Sequence, residues 1–203
     1  KVNKSWIIFV SMKRIAFIIN PISGTGNKEH LIEYLHEAFT VGKGYSAIYH
    51  MTKGAGDAYE ASKGFGEQGY DIVVAVGGDG TVNQVAKGLL YTDTKLAIIP
   101  FGSGNGLARH LKIPLSFYGA VDTILEGDTV EIDAGRINDE IFFCTAGLGF
   151  EAVVGDKFNT AGTRGLITYM EQCAKEYVKY VRESYTIEIG GKVYDTKAFL
   201  ITF

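Results

Sequence analysis

The sequence is short of several things, and each shortage closes off a class of protein. Two cysteines, Cys144 and Cys173, stand far apart in 203 residues, with no CxxC pair and no histidine beside them at ligand spacing. That pattern fits neither a disulfide framework nor a zinc site, and it does fit reduced, cytoplasmic thiols. Positive charge is not in surplus: 20 Lys and Arg face 23 Asp and Glu, a formal charge of −3. With nothing to offset a phosphate backbone, nucleic acid is not an expected partner. Long apolar runs are missing too. The longest near the start, WIIFV at 6–10, is too short to span a bilayer and leads to no small-residue cleavage site, so neither a transmembrane segment nor a signal peptide is expected. Internal repeats and low-complexity stretches are absent. No GxxxxGK(S/T) run is present, which excludes a P-loop, and no clear acidic partner follows the glycines at the spacing a dinucleotide fingerprint requires.

What is there is apolar and periodic. Hydrophobic residues make up 46% of the chain, enough to bury a real core. Met12 opens MKRIAFIINP, a natural start for a first strand, so residues 1–11 are set aside from the fold reasoning. From Arg14, short apolar runs alternate with amphipathic segments: RIAFII, a helix at KEHLIEYLHEAF, YSAIYH, a helix around 57–65, DIVVAV, a helix from Thr81, KLAII, and a helix holding Leu107, Ala108 and Leu111. This is the layout of a parallel α/β domain. A last helix opens at Ser116 as N-cap and closes at Gly127, which ends the α/β domain at 12–127.

From 128 to 203 the apolar period becomes two, and a β-rich second domain is expected there. TVEIDAGRI and EIFFCTAG flank Asn138-Asp139, and YTIEI and KVYDTKAFLITF flank Gly190-Gly191, both reading as hairpins. A helix over 166–182 carries Met170, Cys173, Ala174, Tyr177 and Val181 at helical spacing; core packing is the expected use of that stripe, an acyl channel the alternative. The chain stops inside the apolar run KAFLITF, which reads as a cut through a domain that leaves an unpaired edge.

The chemistry is carried by glycine loops at strand ends. Gly77-Gly78-Asp79-Gly80-Thr81 closes the strand DIVVAV and opens a helix, so small residues and a helix N-terminus converge where an anion can meet backbone N–H groups. A plain glycine turn is the alternative, and Asp79 weighs against it. A second loop, Gly102-Ser103-Gly104-Asn105-Gly106, stands in the same place after KLAIIP, and loops on neighbouring strands can face one ligand. Ser103 and Asn105 offer side-chain hydrogen bonds, and Arg109 is either a phosphate partner or a surface salt-bridge residue. Asn20-Pro21-Ile22-Ser23-Gly24 turns the chain after the first strand. Thr52 to Ala58 ends another strand and starts a helix, with Asp57 in its first turn.

Taken together, NPISG at 20–24, TKGAGDA at 52–58, GGDGTVNQV at 77–85 and PFGSGNGLAR at 100–109 resemble, in order and spacing, the catalytic domain of the diacylglycerol and sphingosine kinase family. TAGLGFEA at 145–152 and the stretch from Gly165 to Tyr169 extend the likeness. The resemblance implies a parallel α/β domain of the kind also found in NAD kinase, followed by a β-sandwich-like domain that is incomplete here. It implies ATP with Mg²⁺ as cofactors and transfer of the γ-phosphate to a lipid hydroxyl. It further implies that Asn20, Pro21, Ser23, Gly24, Thr52, Gly77, Gly78, Asp79, Gly80, Thr81, Val82, Asn83, Gly102, Ser103 and Asn105 contact the nucleotide. Asp79 orders its loop or acts catalytically near the γ-phosphate, and Glu151 addresses the lipid head group or is a solvated carboxylate. The family's metal ligands and late catalytic carboxylate are expected beyond Phe203. The implied partner is a lipid presented at a membrane surface, with a cytoplasmic protein lying peripherally at the inner face; a homodimer stays open. The competing readings are an NAD kinase-like enzyme and a non-catalytic nucleotide-binding regulatory module.

Overall fold

The computed structural model describes residues 12–24, 29–160 and 166–203. It falls into two compact units, the first closing at Ile141 and the second running Phe142–Phe203. The first is built on a four-stranded parallel sheet in the order β2-β1-β3-β4. In chain order its elements are β1 (Lys13–Ile19), α1 (Glu29–Ala38), β2 (Tyr45–Met51), α2 (Asp57–Glu67), β3 (Ile72–Gly77), α3 (Asp79–Leu89), β4 (Lys95–Pro100), α4 (Gly106–His110) and α5 (Phe117–Glu126).

Why the strands read as unbroken apolar runs follows from their cover. Ile15 to Ile19 on β1 and Val73 to Val76 on β3 are all buried, because both faces of a parallel sheet carry helices. Ile15, Phe17, Ile19, Val74 and Val76 form one cluster with Leu35 and Ala38 of α1 and Ala120, Val121 and Ile124 of α5. The alternate residues Ala16, Ile18, Val73 and Ala75 are buried on the opposite face, where α2 and α3 pack together and against the sheet. α5 is bounded as its sequence indicates: the Ser116 hydroxyl accepts the Gly119 N–H at 3.3 Å, and Gly127 takes the left-handed conformation at φ 79. α3 starts at Asp79, two residues ahead of Thr81, with Gly78 as N-cap.

The remainder of the first unit is less regular than its sequence pattern. The strand expected over 129–137 forms only as β5 (Gly135–Ile137), paired with β6 (Glu140–Phe142) across Asn138, which sits at φ 51. Val130 and Ile132 have no partner strand among the described residues and stay exposed.

In the second unit, β7 (Gly147–Gly149), α6 (Phe150–Thr160) and α7 (Leu166–Tyr177) precede β8 (Glu183–Ile189), β9 (Lys192–Ala198) and β10 (Leu200–Thr202). β8 and β9 form the expected hairpin, with Gly190 at φ 58 and Gly191 at φ 74. Two successive positive φ angles are what a type I′ turn needs, and glycine accepts them without strain. The sheets here are two-stranded, so a sheet-rich region is present.

Three expectations change in this unit. The run KAFLITF breaks at Phe199, and its second half finds a partner: β10 pairs antiparallel with β7. α6 was not foreseen, because FEAVVGDKFNT has little amphipathic asymmetry and a glycine at its centre. The stripe on α7 does not pack as a core, since Met170 and Tyr177 are 62% and 66% exposed and Val181, beyond the helix end, is 74% exposed. Gly165 and the side chains of 166–169, invoked for the family likeness, lie outside the described residues.

One glycine fixes the distance between α2 and α3. A Cβ at Gly88 would collide with the Ser62 hydroxyl, lie 2.7 Å from the Tyr59 carbonyl oxygen and 2.8 Å from the Lys63 nitrogen, and Ser62 is itself wholly buried. Gly88→Ala should therefore destabilise the protein by about 1–3 kcal/mol, the usual cost of overpacking, read as a lower urea midpoint with unchanged slope. An unshifted midpoint would mean that the two helices are not in backbone contact.

Candidate functional site

The four parallel strands deliver four loops to one rim of the sheet, at their carboxyl ends. Along the order β2-β1-β3-β4 these are residues 52–56, 20–24, Gly78 leading into α3, and 101–105 leading into α4. The carboxyl edge of a parallel sheet is where ligands of such folds dock.

The tie between the two glycine loops is the side chain of Asp79. Its Oδ2 accepts the Asn105 backbone N–H at 2.8 Å and its Oδ1 accepts the Gly106 N–H at 2.6 Å. Bonds from N–H groups to a carboxylate are among the stronger hydrogen bonds, worth about 1.5–3 kcal/mol each. Asn105 makes the receiving loop rigid. It holds a left-handed backbone at φ 53, while its side chain accepts from the Gly102 N–H and donates to the Gly102 carbonyl, both at 2.7 Å. Arg109 completes the loop by donating from Nε to the Gly104 carbonyl at 2.8 Å. Arg109 thus commits its Nε to the loop and makes no ion pair among the described residues.

This arrangement explains most of the glycines by packing. A Cβ on Gly102 would stand 2.7 Å from the Gly78 Cα, one on Gly104 would stand 2.8 Å from Asp79 Oδ2, and one on Gly77 would stand 2.6 Å from the Thr81 hydroxyl oxygen. The two loops touch backbone to backbone, and no side chain fits between them. Gly80 is different: nothing lies within 4 Å of where its Cβ would be. It sits in the first turn of α3, where the first intrahelical bond runs from the Val82 N–H to the Gly78 carbonyl, so the N–H groups of Asp79, Gly80 and Thr81 have no intrahelical acceptor. Open space, unshared donors and the positive end of a helix dipole coincide there, which is what an anion needs.

The other loops support this centre. Asn20 donates from Nδ2 to the Thr81 hydroxyl at 3.2 Å and accepts the Ile22 N–H on Oδ1 at 3.1 Å, so the NPISG turn is bound to the start of α3. The Ser23 hydroxyl donates to the Asn20 carbonyl, and Gly24, at φ 69, lies against Phe101. Thr52 continues the ladder by donating its N–H to the Ile19 carbonyl at 2.9 Å. Val82 and Thr81 are buried, Asn83 is half-buried in α3, and Ser103 is exposed at the tip of the second loop. Glu151 belongs to the second unit, in the first turn of α6, and lies over Gly147. Sequence reasoning missed His50, whose Nε2 is 3.1 Å from Asp57 Oδ1, because nothing in the spacing of a strand residue and a helix residue announces the pair. Among the described residues no group of three His, Cys, Asp or Glu side chains is gathered to hold a metal. Two clefts of the first unit, about 580 Å³ beside Lys87 and Glu140 and about 1020 Å³ along the β4 edge, lie away from these loops.

The fold and this rim define a parallel α/β protein whose glycine loops gather around a helix N-terminus. Residues 14–137 match the family model for the diacylglycerol kinase catalytic domain, and the chain belongs to that family. It is 39% identical over 142 residues to a diacylglycerol kinase of Bacillus subtilis, covering 68% of this chain and 46% of the relative. A Staphylococcus epidermidis diacylglycerol kinase is 37% identical over 142 residues, with 68% and 44% covered. A crystal structure of a diacylglycerol kinase from Bacillus anthracis superimposes with a TM-score of 0.70 at 27% identity, over 94% of this chain and 63% of that one. The chain thus spans less than half the length of these two sequence relatives.

Asp79→Asn should preserve the fold and loosen the clip, because an amide offers one acceptor where the carboxylate offers two. The expected result is faster amide hydrogen exchange at Asn105 and Gly106, by about tenfold or more for the loss of one such bond. Unchanged exchange at both amides would show that something other than Asp79 holds the second loop.

Proposed function

We propose that this chain is the nucleotide-binding part of an ATP-dependent lipid kinase, which transfers the γ-phosphate to a hydroxyl of a diacylglycerol or sphingoid-type lipid. The observation that carries this reading is Gly80: in a pair of loops where Gly77, Gly78, Gly102 and Gly104 are closely packed, it has open space at a helix start whose N–H groups have no intrahelical acceptor. A nucleotide phosphate fits that space and that charge. Membership of the diacylglycerol kinase catalytic family supports the choice of a lipid acceptor over NAD, and the names of the relatives support diacylglycerol within it.

The residues of this chain have definable parts in such a reaction. The N–H groups at the start of α3 bind and orient the phosphates, and the N-terminal dipole stabilises the charge that gathers on the transferring group. Ser103 offers an exposed hydroxyl to the same ligand. Asp79 serves by position, since both of its oxygens are engaged by the second loop. The lipid hydroxyl has a high pKa and needs a base within hydrogen-bond reach; that base is assigned outside the two loops. Magnesium would offset phosphate charge in a reaction of this class. The described residues supply no ligand cluster for it. A lipid acceptor is met at a membrane surface, so the enzyme works as a cytoplasmic protein lying at the inner face; no described helix is long and apolar enough to cross a membrane.

Two measurements test this. The protein, given labelled ATP and a panel of diacylglycerol, sphingoid base and NAD, should label a lipid; label in NAD and in no lipid would overturn the lipid reading. Gly80→Val should raise the ATP Kd by tenfold or more while shifting the melting temperature by no more than about 2 °C, since the new side chain meets solvent and not protein. Retained affinity would move the phosphates elsewhere.

A further inference from the structure

On the same rim, a second carboxylate ties a loop to the helix that follows it. His50, near the end of β2, sets Nε2 3.1 Å from Oδ1 of Asp57, the first residue of α2. The other oxygen of that carboxylate, Oδ2, accepts the Lys53 backbone N–H at 2.7 Å. Asp57 therefore bridges the loop at 52–56 and joins the strand that enters it to the helix that leaves it. Gly56, the N-cap of α2, is left-handed at φ 83 and contributes no side-chain cap. Packing does not hold the loop either, because nothing lies within 4 Å of a Cβ built on Gly54 or Gly56. The hydrogen bonds through Asp57 are what give it shape. They hold its carboxyl below the usual carboxylate range, chiefly through the Lys53 N–H, with the His50 contact adding to it.

We propose that His50 is a positioning residue for nucleotide binding: acting through Asp57, it fixes the loop at 52–56, and with it Thr52, against the rim where the phosphates bind. The role rests on the nucleotide reading given above. Thr52 is already pinned at its N–H to Ile19 of β1, so the loop beyond it leaves the rim from a fixed point next to the Asn20 turn. The groups facing the imidazole are few. On α2 they are the Asp57 carboxylate and the Phe65 ring, centroid to centroid 6.4 Å. On β1 the cross-strand neighbour is Ile18, which carries no charge. Lys53 acts on the carboxylate from the loop side.

The test uses the full chain as wild type, His50→Phe and His50→Gln. Hydrogen exchange at the Lys53 amide reads the tie without any nucleotide, and calorimetric ATP binding reads its consequence. His50→Phe should speed Lys53 exchange and raise the ATP Kd about tenfold, the effect of losing roughly one hydrogen bond to a charged group, with the melting temperature near wild type. His50→Gln, which keeps a donor, should recover most of both. An unchanged ATP Kd together with a fall in melting temperature for His50→Phe indicates a merely structural residue and overturns the proposal, as does unchanged Lys53 exchange. If Lys53 exchange responds while wild type binds no ATP, the nucleotide reading fails and the positioning role falls with it, although the tie itself stands.

Discussion

The site depends on one carboxylate. Asp79 stands at the first residue of α3 and gives both oxygens to backbone N–H groups of a loop that belongs to the next strand. That bond pair decides what the neighbouring residues can be. Gly78 and Gly102 must lack side chains because their Cα atoms approach each other across the tie, and Gly104 must lack one because the carboxylate lies against it. The tie also decides what is left for a ligand. Asn105 and Gly106 have committed their N–H groups to Asp79, whereas the N–H groups at the start of α3 have no intrahelical acceptor and Gly80 leaves room beside them.

Asp57 repeats the device one helix earlier. It too is the first residue of a helix whose N-cap is a glycine without a capping side chain, and it too spends both oxygens on neighbouring groups at the rim. In each case an acidic residue where the helix dipole favours negative charge is used to shape a flexible, glycine-bearing loop. A glycine loop that approaches a ligand closely cannot be held by its own side chains, and a carboxylate from the adjoining helix supplies the missing restraint without occupying the space the ligand needs.

Much of the first unit was legible because parallel strands buried on both faces leave unbroken apolar runs, and RIAFII, DIVVAV and KLAII announce β1, β3 and β4 almost to the residue. The α5 boundaries were equally open, since Ser116 and Gly127 cap by local chemistry. The second unit was less so. α6 has no amphipathic stripe to betray it, and the pairing of β10 with β7 joins residues some fifty positions apart, which periodicity does not report. In the site, the glycine loops were found and their meaning was only half read. Their pattern suggests room for phosphate throughout, whereas in the structure most of these glycines serve the contact between loops, and Asn105 folds its side chain back onto Gly102. Partnerships such as Asp79 with Asn105 and Gly106, or His50 with Asp57, are tertiary facts, and no spacing rule encodes them.

The central claim is that Asp79 keeps the second loop's N–H groups for itself and leaves the start of α3 to the ligand. An amide-resolved NMR titration of the chain with a non-hydrolysable ATP analogue tests it most directly. The account predicts that the largest shifts fall at Gly80 and Thr81, while Asn105 and Gly106 stay protected from hydrogen exchange before and after binding. Largest shifts at Asn105 and Gly106, with their protection lost as nucleotide binds, would contradict it.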